Sequence, residues 1–356
     1  MVNTPAFWAG KKVFLTGHTG FKGGWLAIWL HKLGAQVHGF SLNPPTTPSF
    51  FDTTRVAKTL TTDTRGDIRD YRALEAAMKN ANPDIIFHLA AQPLVRASYR
   101  EPLETLNTNI MGTAHLLEAA RQLSSLKGVL VITTDKCYEN REWIYPYREV
   151  DPLGGHDPYS ASKASAEIVT ASYRSSFFVG ERAASLATAR AGNVIGGGDW
   201  AEDRLLPDCI RAFSKDANVE LRYPDAVRPW QHVLEPLSGY MMLMEHLSGE
   251  GAKNYAEAWN FGPNASGDAT VGDIAQRVAG LWGSGKVILT TSCAPPHEAG
   301  LLRLDITKTG NRLHWRPRWP IDRTLKETVA WYKAWHLGKD MHDYTLAQIA
   351  TFEGTA

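Results

Sequence analysis

The sequence lacks the features that mark several classes of protein. Its 356 residues contain only three cysteines, Cys137, Cys209 and Cys293, which are far apart and show no CxxC spacing. We therefore expect no disulfide framework and no metal site, and a reducing, cytoplasmic environment. No apolar run approaches the roughly 20 residues that a membrane helix needs. The N-terminal residues also lack the basic-then-apolar order of a secretory signal.

Net charge is also small. The chain has 38 basic and 37 acidic residues, a formal net charge of +1. This balance gives no electrostatic reason to bind nucleic acid or an anionic membrane, and we expect neither partner. The hydrophobic content of 44% is, in contrast, enough for a full core, organised as two domains or as one large domain with a lobe.

The first half of the chain alternates short apolar runs with segments of helical periodicity. The predicted strands are 12–15, 36–41, 84–89 and 128–133, and the predicted helices include 71–80, 108–123 and 159–178. Strands that alternate with helices of this length form βαβ units with parallel strands. The pattern therefore predicts an α/β fold with a doubly wound parallel sheet of the Rossmann type.

A glycine-rich stretch follows the first predicted strand and opens a helix. It is Thr16-Gly17-His18-Thr19-Gly20-Phe21-Lys22-Gly23, with GxxGxxG spacing. The first glycine permits a tight turn, the second lets the backbone approach a pyrophosphate, and the third lets helix and strand pack closely. The helix N-terminus offers N–H groups and a partial positive charge to phosphates. We predict that residues 17–23 bind a dinucleotide.

Further cofactor contacts are expected where other strands end. Ser41 occupies the position where an acidic residue usually holds the ribose hydroxyl, and because no arginine follows it immediately, NAD is favoured over NADP. Asp67 and Ile68 are candidates for the adenine edge, although Asp67 is as readily explained as a turn cap. The small residues of Leu89-Ala90-Ala91-Gln92 leave room for a nicotinamide, and Asn109 completes the predicted cofactor set.

A tyrosine and a lysine occupy one face of a predicted helix. Tyr159 and Lys163 are four residues apart, so the two side chains project together. A phenol is a poor base at neutral pH, but a nearby ammonium lowers its pKa. The pair is therefore predicted to act as the general base for an alcohol that loses hydride. Thr134, Asp135 and Lys136 follow the strand 128–133, at the edge of a parallel sheet where ligands bind.

In this order, TGHTGFKG, LAAQ, TTDK and PYSASK resemble the extended short-chain dehydrogenases, which include sugar-nucleotide epimerases and 4,6-dehydratases. The resemblance covers nearly the whole chain. It implies a lyase with bound NAD that oxidises C4 of a nucleotide sugar, removes water across C5 and C6, and returns hydride to C6. It also implies a role in deoxysugar synthesis for bacterial surface polysaccharide such as lipopolysaccharide O-antigen, and assembly as a homodimer or homotetramer.

The resemblance assigns roles to the catalytic candidates. Tyr159 would take the 4-hydroxyl proton, Thr134 would bond the 4-oxygen, and Asp135 would protonate the leaving 6-hydroxyl. Lys136 stands where the dehydratases of dTDP-glucose and GDP-mannose carry glutamate. It would either remove the C5 proton as a neutral amine or stay charged and stabilise an enolate.

The substrate side is predicted from residue chemistry. Arginine binds two phosphate oxygens at once, so a nucleotide diphosphate is expected to contact several arginines and an asparagine. The candidates for contacts with the substrate are Asn193, Arg204, Leu205, Tyr223, Arg228 and Arg303. We expect an NAD-binding domain over residues 1–190 and a smaller substrate lobe over 191–356, with some segments of the lobe returning to the first domain.

Three other functions are compatible with parts of the pattern. A sugar-nucleotide 4-epimerase would need Tyr159 and Lys163 but no acid–base pair for elimination, so Asp135 and Lys136 argue against it. A reductase would use exchangeable NADPH, which the residues around Ser41 disfavour. A non-enzymatic redox sensor on the same fold would not need the tyrosine–lysine pair.

Overall fold

The chain forms a large parallel sheet and two small sheets. The computed structural model describes residues 4–181, 183–221, 223–264, 268–289 and 301–355. The strands are β1 (Lys12–Thr16), β2 (Gln36–Ser41), β3 (Thr62–Arg65), β4 (Ile85–His88), β5 (Gly128–Ile132), β6 (Ser185–Ala191), β7 (Asn193–Ile195), β8 (Val219–Leu221), β9 (Val227–His232), β10 (Ala258–Phe261), β11 (Asp268–Thr270) and β12 (Val287–Leu289). The large sheet has the order β3-β2-β1-β4-β5-β6-β10, and every neighbouring pair in it is parallel.

Helices connect these strands. They are α1 (Pro5–Trp8), α2 (Phe21–Lys32), α3 (Phe50–Thr53), α4 (Tyr71–Ala81), α5 (Val95–Arg100), α6 (Pro102–Leu106), α7 (Gly112–Ala120), α8 (Pro158–Ser176), α9 (Leu205–Phe213), α10 (Leu234–Leu247), α11 (Val271–Trp282), α12 (Thr307–Arg312), α13 (Ile321–His336) and α14 (Met341–Glu353). No helix among the described residues is long and apolar enough to cross a membrane.

Local sequence explains where the helices that carry the site begin. Asp157 accepts the Ser160 N–H at 2.9 Å and Pro158 occupies the first helical position, two signals that start α8. Asp70 caps α4 in the same way through the Ala73 N–H at 3.1 Å. Asp157 and Pro158 set the start of α8 one residue before Tyr159, so the positions of Tyr159 and Lys163 in the helix are determined locally.

Both faces of the large sheet are covered. All five residues of β5 are buried, as expected for a strand sandwiched between helices. The apolar face of α2, with Trp25 and Trp29, belongs to one core, and Leu74 of α4 with Leu116 of α7 belongs to the core on the opposite face. The predicted doubly wound parallel sheet is therefore confirmed.

The second half of the chain contributes to both the small sheets and the large one. β7, β9 and β11 form a three-stranded sheet, and β8 pairs with β12. β10 pairs with β6 at the edge of the large sheet, and α10 contacts β5 and β6. The chain thus crosses more than once between the small sheets and the Rossmann sheet.

The predicted helix 108–123 is interrupted. A π-helical segment, Asn107–Met111, precedes α7. The wide turn directs Asn109 to two partners: its Oδ1 accepts the Gln92 N–H at 2.8 Å, and its Nδ2 donates to the Ser162 hydroxyl at 2.8 Å. Such π-helical turns are frequent at functional sites, and here the segment ties the end of β4 to α8.

A buried carboxyl group at the start of α10 makes stability depend on pH. Glu235 is fully buried and accepts the N–H groups of Arg318 and Trp319 at 2.9 and 2.6 Å. Burial raises its pKa from 4.5 to about 7. Because the pKa is higher in the folded than in the unfolded state, protonation of Glu235 favours the folded state. This contribution to the free energy of unfolding is full below pH 4.5 and is lost as the pH rises through about 7.

We expect Glu235→Gln to remove that part of the pH dependence. The difference between wild type and variant in the free energy of unfolding should change by about 3 kcal/mol across this pH range. Chemical denaturation at several pH values measures it. Parallel curves for the two proteins would contradict the assignment.

Candidate active site

The predicted catalytic turn lies at the carboxyl end of β5. Thr134 caps a short 3₁₀ turn, Asp135–Cys137, and its hydroxyl donates to Asp135 Oδ1 at 2.9 Å. The Asp135 side chain is buried, and this burial raises its pKa against the opposing effects of Lys136 and Thr134. A carboxyl group that keeps its proton is suited to act as a general acid.

α8 brings the tyrosine–lysine pair to this turn. The Thr134 hydroxyl lies close enough to the Tyr159 phenol to act on its pKa, and the Lys163 ammonium donates to the Ile132 carbonyl at 3.0 Å. Both residues are 7% exposed. The structure therefore brings Thr134, Asp135, Tyr159 and Lys163 together, and it places Lys136, half-buried, on the same turn.

The predicted lowering of the Tyr159 pKa by the neighbouring ammonium is wrong. Burial raises this pKa to about 12, and the nearby Thr134 hydroxyl only partly opposes the rise. The Lys163 ammonium does not offset this effect of burial, because it is directed to the Ile132 carbonyl. Burial also lowers the pKa of Lys163 to about 8, while the Glu167 carboxylate acts to raise it.

The glycine-rich loop has the shape that a dinucleotide requires. Gly17 has φ +79°, and a Cβ there would lie 2.7 Å from the Ala90 nitrogen. A Cβ on Gly23 would lie 2.1 Å from the Gly17 oxygen, so β1, β4 and α2 approach closely only with glycine. Gly20 is the N-cap residue of α2, and no side chain among the described residues caps this N-terminus. The first N–H groups of α2 are thus available to phosphate oxygens.

The end of β2 is arranged to accept a hydrogen bond. Thr19 Oγ1 donates to the Leu42 carbonyl at 3.0 Å, so the proton of its 2.7 Å bond with Ser41 comes from Ser41. The lone pairs of Ser41 remain able to accept from a ribose hydroxyl. Arg65, which the sequence analysis missed, pairs in register with Ser41 across β2 and β3, and its guanidinium donates to Asp63 at 2.8 Å.

The remaining cofactor candidates have varied environments. The buried His18 ring lies 2.8 Å from Asp63, so its contribution to a phosphate is confined to its backbone. Asp67 accepts from the Arg69 guanidinium at 2.6 Å and from its N–H at 2.8 Å, as a turn residue does. Ile68 is buried against Gly112.

Cationic side chains meet near the catalytic turn. Arg204 donates to Asp199 at 2.7 Å. The Lys22 ammonium interacts electrostatically with Arg204, Lys163 and Asp135, and burial lowers its pKa to about 8. Lys22, which the sequence predicts only as part of the phosphate loop, thus lies within electrostatic reach of Lys163 and Asp135.

The other substrate candidates are less closely grouped. Arg228 is buried in β9 and acts electrostatically on Asp135. Asn193 begins β7 opposite Trp230, and Leu205 begins α9. Tyr223 lies in the loop between β8 and β9, and Arg303 lies in a segment that bridges to β9 at Val227.

Three buried polar residues beside the site were also missed from sequence. Glu167 lies one helical turn beyond Lys163, a spacing that could have identified it. Arg190 lies on β6 and Asp199 in the loop before α9, and no local spacing relates them to the tyrosine–lysine pair.

Most of the chain matches one known protein family. The family described as GDP-mannose 4,6 dehydratase matches residues 14–328. The chain belongs to this family. The resemblance to extended short-chain dehydrogenases is therefore confirmed over nearly the whole chain.

Two 4,6-dehydratases and a 4-epimerase are similar to this chain over most of its length. A CDP-glucose 4,6-dehydratase of Salmonella typhimurium is 50% identical over 339 residues, 94% of each chain. A dTDP-glucose 4,6-dehydratase of Streptomyces antibioticus is 27% identical over 76% of this chain and 75% of its own. The crystal structure of UDP-glucose 4-epimerase from Thermotoga maritima has a TM-score of 0.76 at 22% identity, covering 90% of this chain and 98% of the epimerase.

Proposed function

We propose that this chain converts CDP-glucose to CDP-4-dehydro-6-deoxyglucose with bound NAD. The observation that carries the proposal is the 50% identity to a CDP-glucose 4,6-dehydratase over 94% of both chains. The site supports it, because a buried carboxyl group with a raised pKa accepts a hydrogen bond from the threonine that lies near the Tyr159 phenol. Tyr159 is therefore the candidate base for the oxidation, and Asp135 is the candidate acid for the elimination.

The residues around the glycine loop fit NAD. The backbone of Gly17–Gly23 and the N-terminus of α2 would hold the diphosphate, and Ser41 would accept a ribose hydroxyl. Leu89–Gln92 and Asn109 would border the nicotinamide, and Asp67 and Ile68 the adenine. When bound, NAD supplies the hydride acceptor and donor, and its positive charge favours the Tyr159 phenolate.

The protein groups move the protons. Tyr159 takes the proton of the 4-hydroxyl as the C4–H bond breaks, and Thr134 bonds the resulting 4-keto oxygen. The ketone acidifies C5, whose proton leaves as the C6–O bond breaks. Asp135 gives its proton to the departing hydroxyl, which leaves as water. The product is complete when C5 regains a proton and C6 receives the hydride that left C4.

Lys136 acts at C5 in one of two ways. As a neutral amine it takes the C5 proton, and as an ammonium it stabilises the enolate oxygen. Its place on the turn beside Asp135 serves both roles.

Residues of the second half of the chain recognise the nucleotide sugar, and copies of the chain assemble. Arg204, Arg228, Arg303 and Asn193 bind the diphosphate, and Leu205 with Tyr223 borders the base. Residues 1–190 form the NAD-binding domain and residues 191–356 mainly the substrate lobe. The active species is a cytoplasmic homodimer or homotetramer.

Isotope transfer tests the reaction. We expect CDP-glucose deuterated at C4 to give a 4-keto-6-deoxy product with deuterium at C6 and no net NADH, because hydrogen removed from C4 stays on the enzyme until its return. Mass spectrometry and NMR of the product measure this. An epimerase would instead keep deuterium at C4, and loss of label to solvent would equally contradict the dehydratase. Matched reactions with UDP-, dTDP- and GDP-glucose test the choice of base.

A further inference from the structure

A buried ion pair lies directly behind the catalytic turn. Glu167 on α8 and Arg190 on β6 are 2.8 Å apart, and both side chains are 3% exposed. Removing two charges from water costs several kcal/mol per ion, so a buried pair is weak evidence for stability. Its best-attested use is to define the register of one element against another.

The ion pair contacts both ends of the catalytic turn. At the start, the Thr133 hydroxyl donates to Glu167 Oε1 at 2.5 Å. At the end, Arg190 Nη1 donates to the Tyr138 hydroxyl at 2.8 Å, and Tyr138 in turn donates to Asn260 on β10 at 2.8 Å. Residues 134–137, which include the elimination groups, are held between these two attachments.

The same ion pair also links the catalytic turn to α8, the helix that carries Tyr159 and Lys163. Glu167 lies one helical turn beyond Lys163 and two beyond Tyr159 on α8. The turn follows β5, whereas the tyrosine and lysine are held by α8 itself. A tie between the two elements is therefore needed to keep Asp135 at a constant distance from the sugar bound against Tyr159.

We propose that Glu167 and Arg190, acting through Thr133 and Tyr138, are positioning residues for the elimination half of the reaction. This inference rests on the proposed dehydratase function. Loosening either attachment displaces Asp135 and Lys136 while Tyr159 and Lys163 stay in place. Oxidation at C4 then continues, elimination slows, and the oxidised intermediate accumulates together with bound NADH.

The chain offers a matched pair of variants to test this. Thr188 on β6 donates to the other oxygen of the same carboxylate, Glu167 Oε2, at 2.7 Å, but it lies outside the catalytic turn. Thr133→Val and Thr188→Val therefore delete the same group from the same partner. We expect Thr133→Val to lower kcat about tenfold with bound NADH accumulating in a single turnover, and Thr188→Val to stay within about twofold of wild type.

Thr133→Ser restores the hydroxyl and should recover kcat to within about twofold. Equal effects of the two valine variants, or a loss in Thr133→Val without NADH accumulation, would overturn the proposal. Hydrogen exchange of the turn 133–138 in the protein without ligand gives a second readout, faster in Thr133→Val and unchanged in Thr188→Val. It separates this proposal from the proposed function, which fails if wild type makes no 4-keto-6-deoxy product.

Discussion

Tyr159→Phe is expected to lower kcat for CDP-glucose about a thousandfold, with the protein still folded. The substitution removes the oxygen that takes the 4-hydroxyl proton and leaves the ring in its buried position. Because the substitution removes one neutral polar group and leaves the packing of the ring unchanged, the free energy of unfolding should change by only about 1 kcal/mol. Steady-state turnover, single-turnover NADH absorbance and thermal unfolding measure these effects, and no NADH should form.

Tyr240→Phe is the matched control. Tyr240 is fully buried on α10, burial also raises its pKa, and its hydroxyl has no hydrogen-bond partner within the described part of the chain. We expect near-normal turnover, since this oxygen has no assigned role. Normal turnover in Tyr159→Phe, or an equal loss in both variants, would show that the phenol oxygen is not the base.

Asp135→Asn is expected to lower kcat about a hundredfold and to stop the reaction at a different point. The amide keeps the size of the side chain and loses the transferable proton, so C4 is still oxidised while the 6-hydroxyl cannot leave as water. Bound NADH should therefore accumulate, in contrast to Tyr159→Phe. Rapid-mixing absorbance measurements with CDP-glucose distinguish the two variants.

The pH dependence gives a second test of Asp135. Burial raises its pKa, so the acid remains protonated at pH values where an ordinary aspartate is ionised, and activity falls as the pH rises through that pKa. This falling limb should be absent from the residual activity of Asp135→Asn. Asp151→Asn is the control, because Asp151 pairs with Arg148 outside the site and its loss should leave both kcat and the pH profile unchanged. A falling limb retained in Asp135→Asn would assign it to another group.

Much of this site can be predicted from local patterns. The glycine loop, the Thr134–Lys136 turn and the Tyr159–Lys163 pair each lie within one element or at its end, where spacing determines which side chains share a face. Parallel strands end at one edge of a sheet, so motifs that follow β1 and β5 were expected at that edge. The local pattern also located β2 with its observed bounds.

Other features depend on contacts between distant parts of the chain. Arg65 lies opposite Ser41 only because β2 and β3 pair in this register. The pKa of Tyr159 rises because burial exceeds the stabilisation of the phenolate, and burial is a property of the packed protein. Glu167 meets Arg190 because α8 covers β6, which sequence spacing does not specify.

The amino-acid sequence alone determined the fold class, because strands and helices alternate along the chain. It also determined that the glycine loop opens a helix and that Tyr159 and Lys163 share one helix face, because each follows from spacing within a single element. The tertiary structure decided which charges face the cleft, which direction each pKa moves and what holds the catalytic turn against α8. Those properties arise from desolvation and from contacts between residues far apart in the chain, and both exist only once the sheet and its helices have packed together.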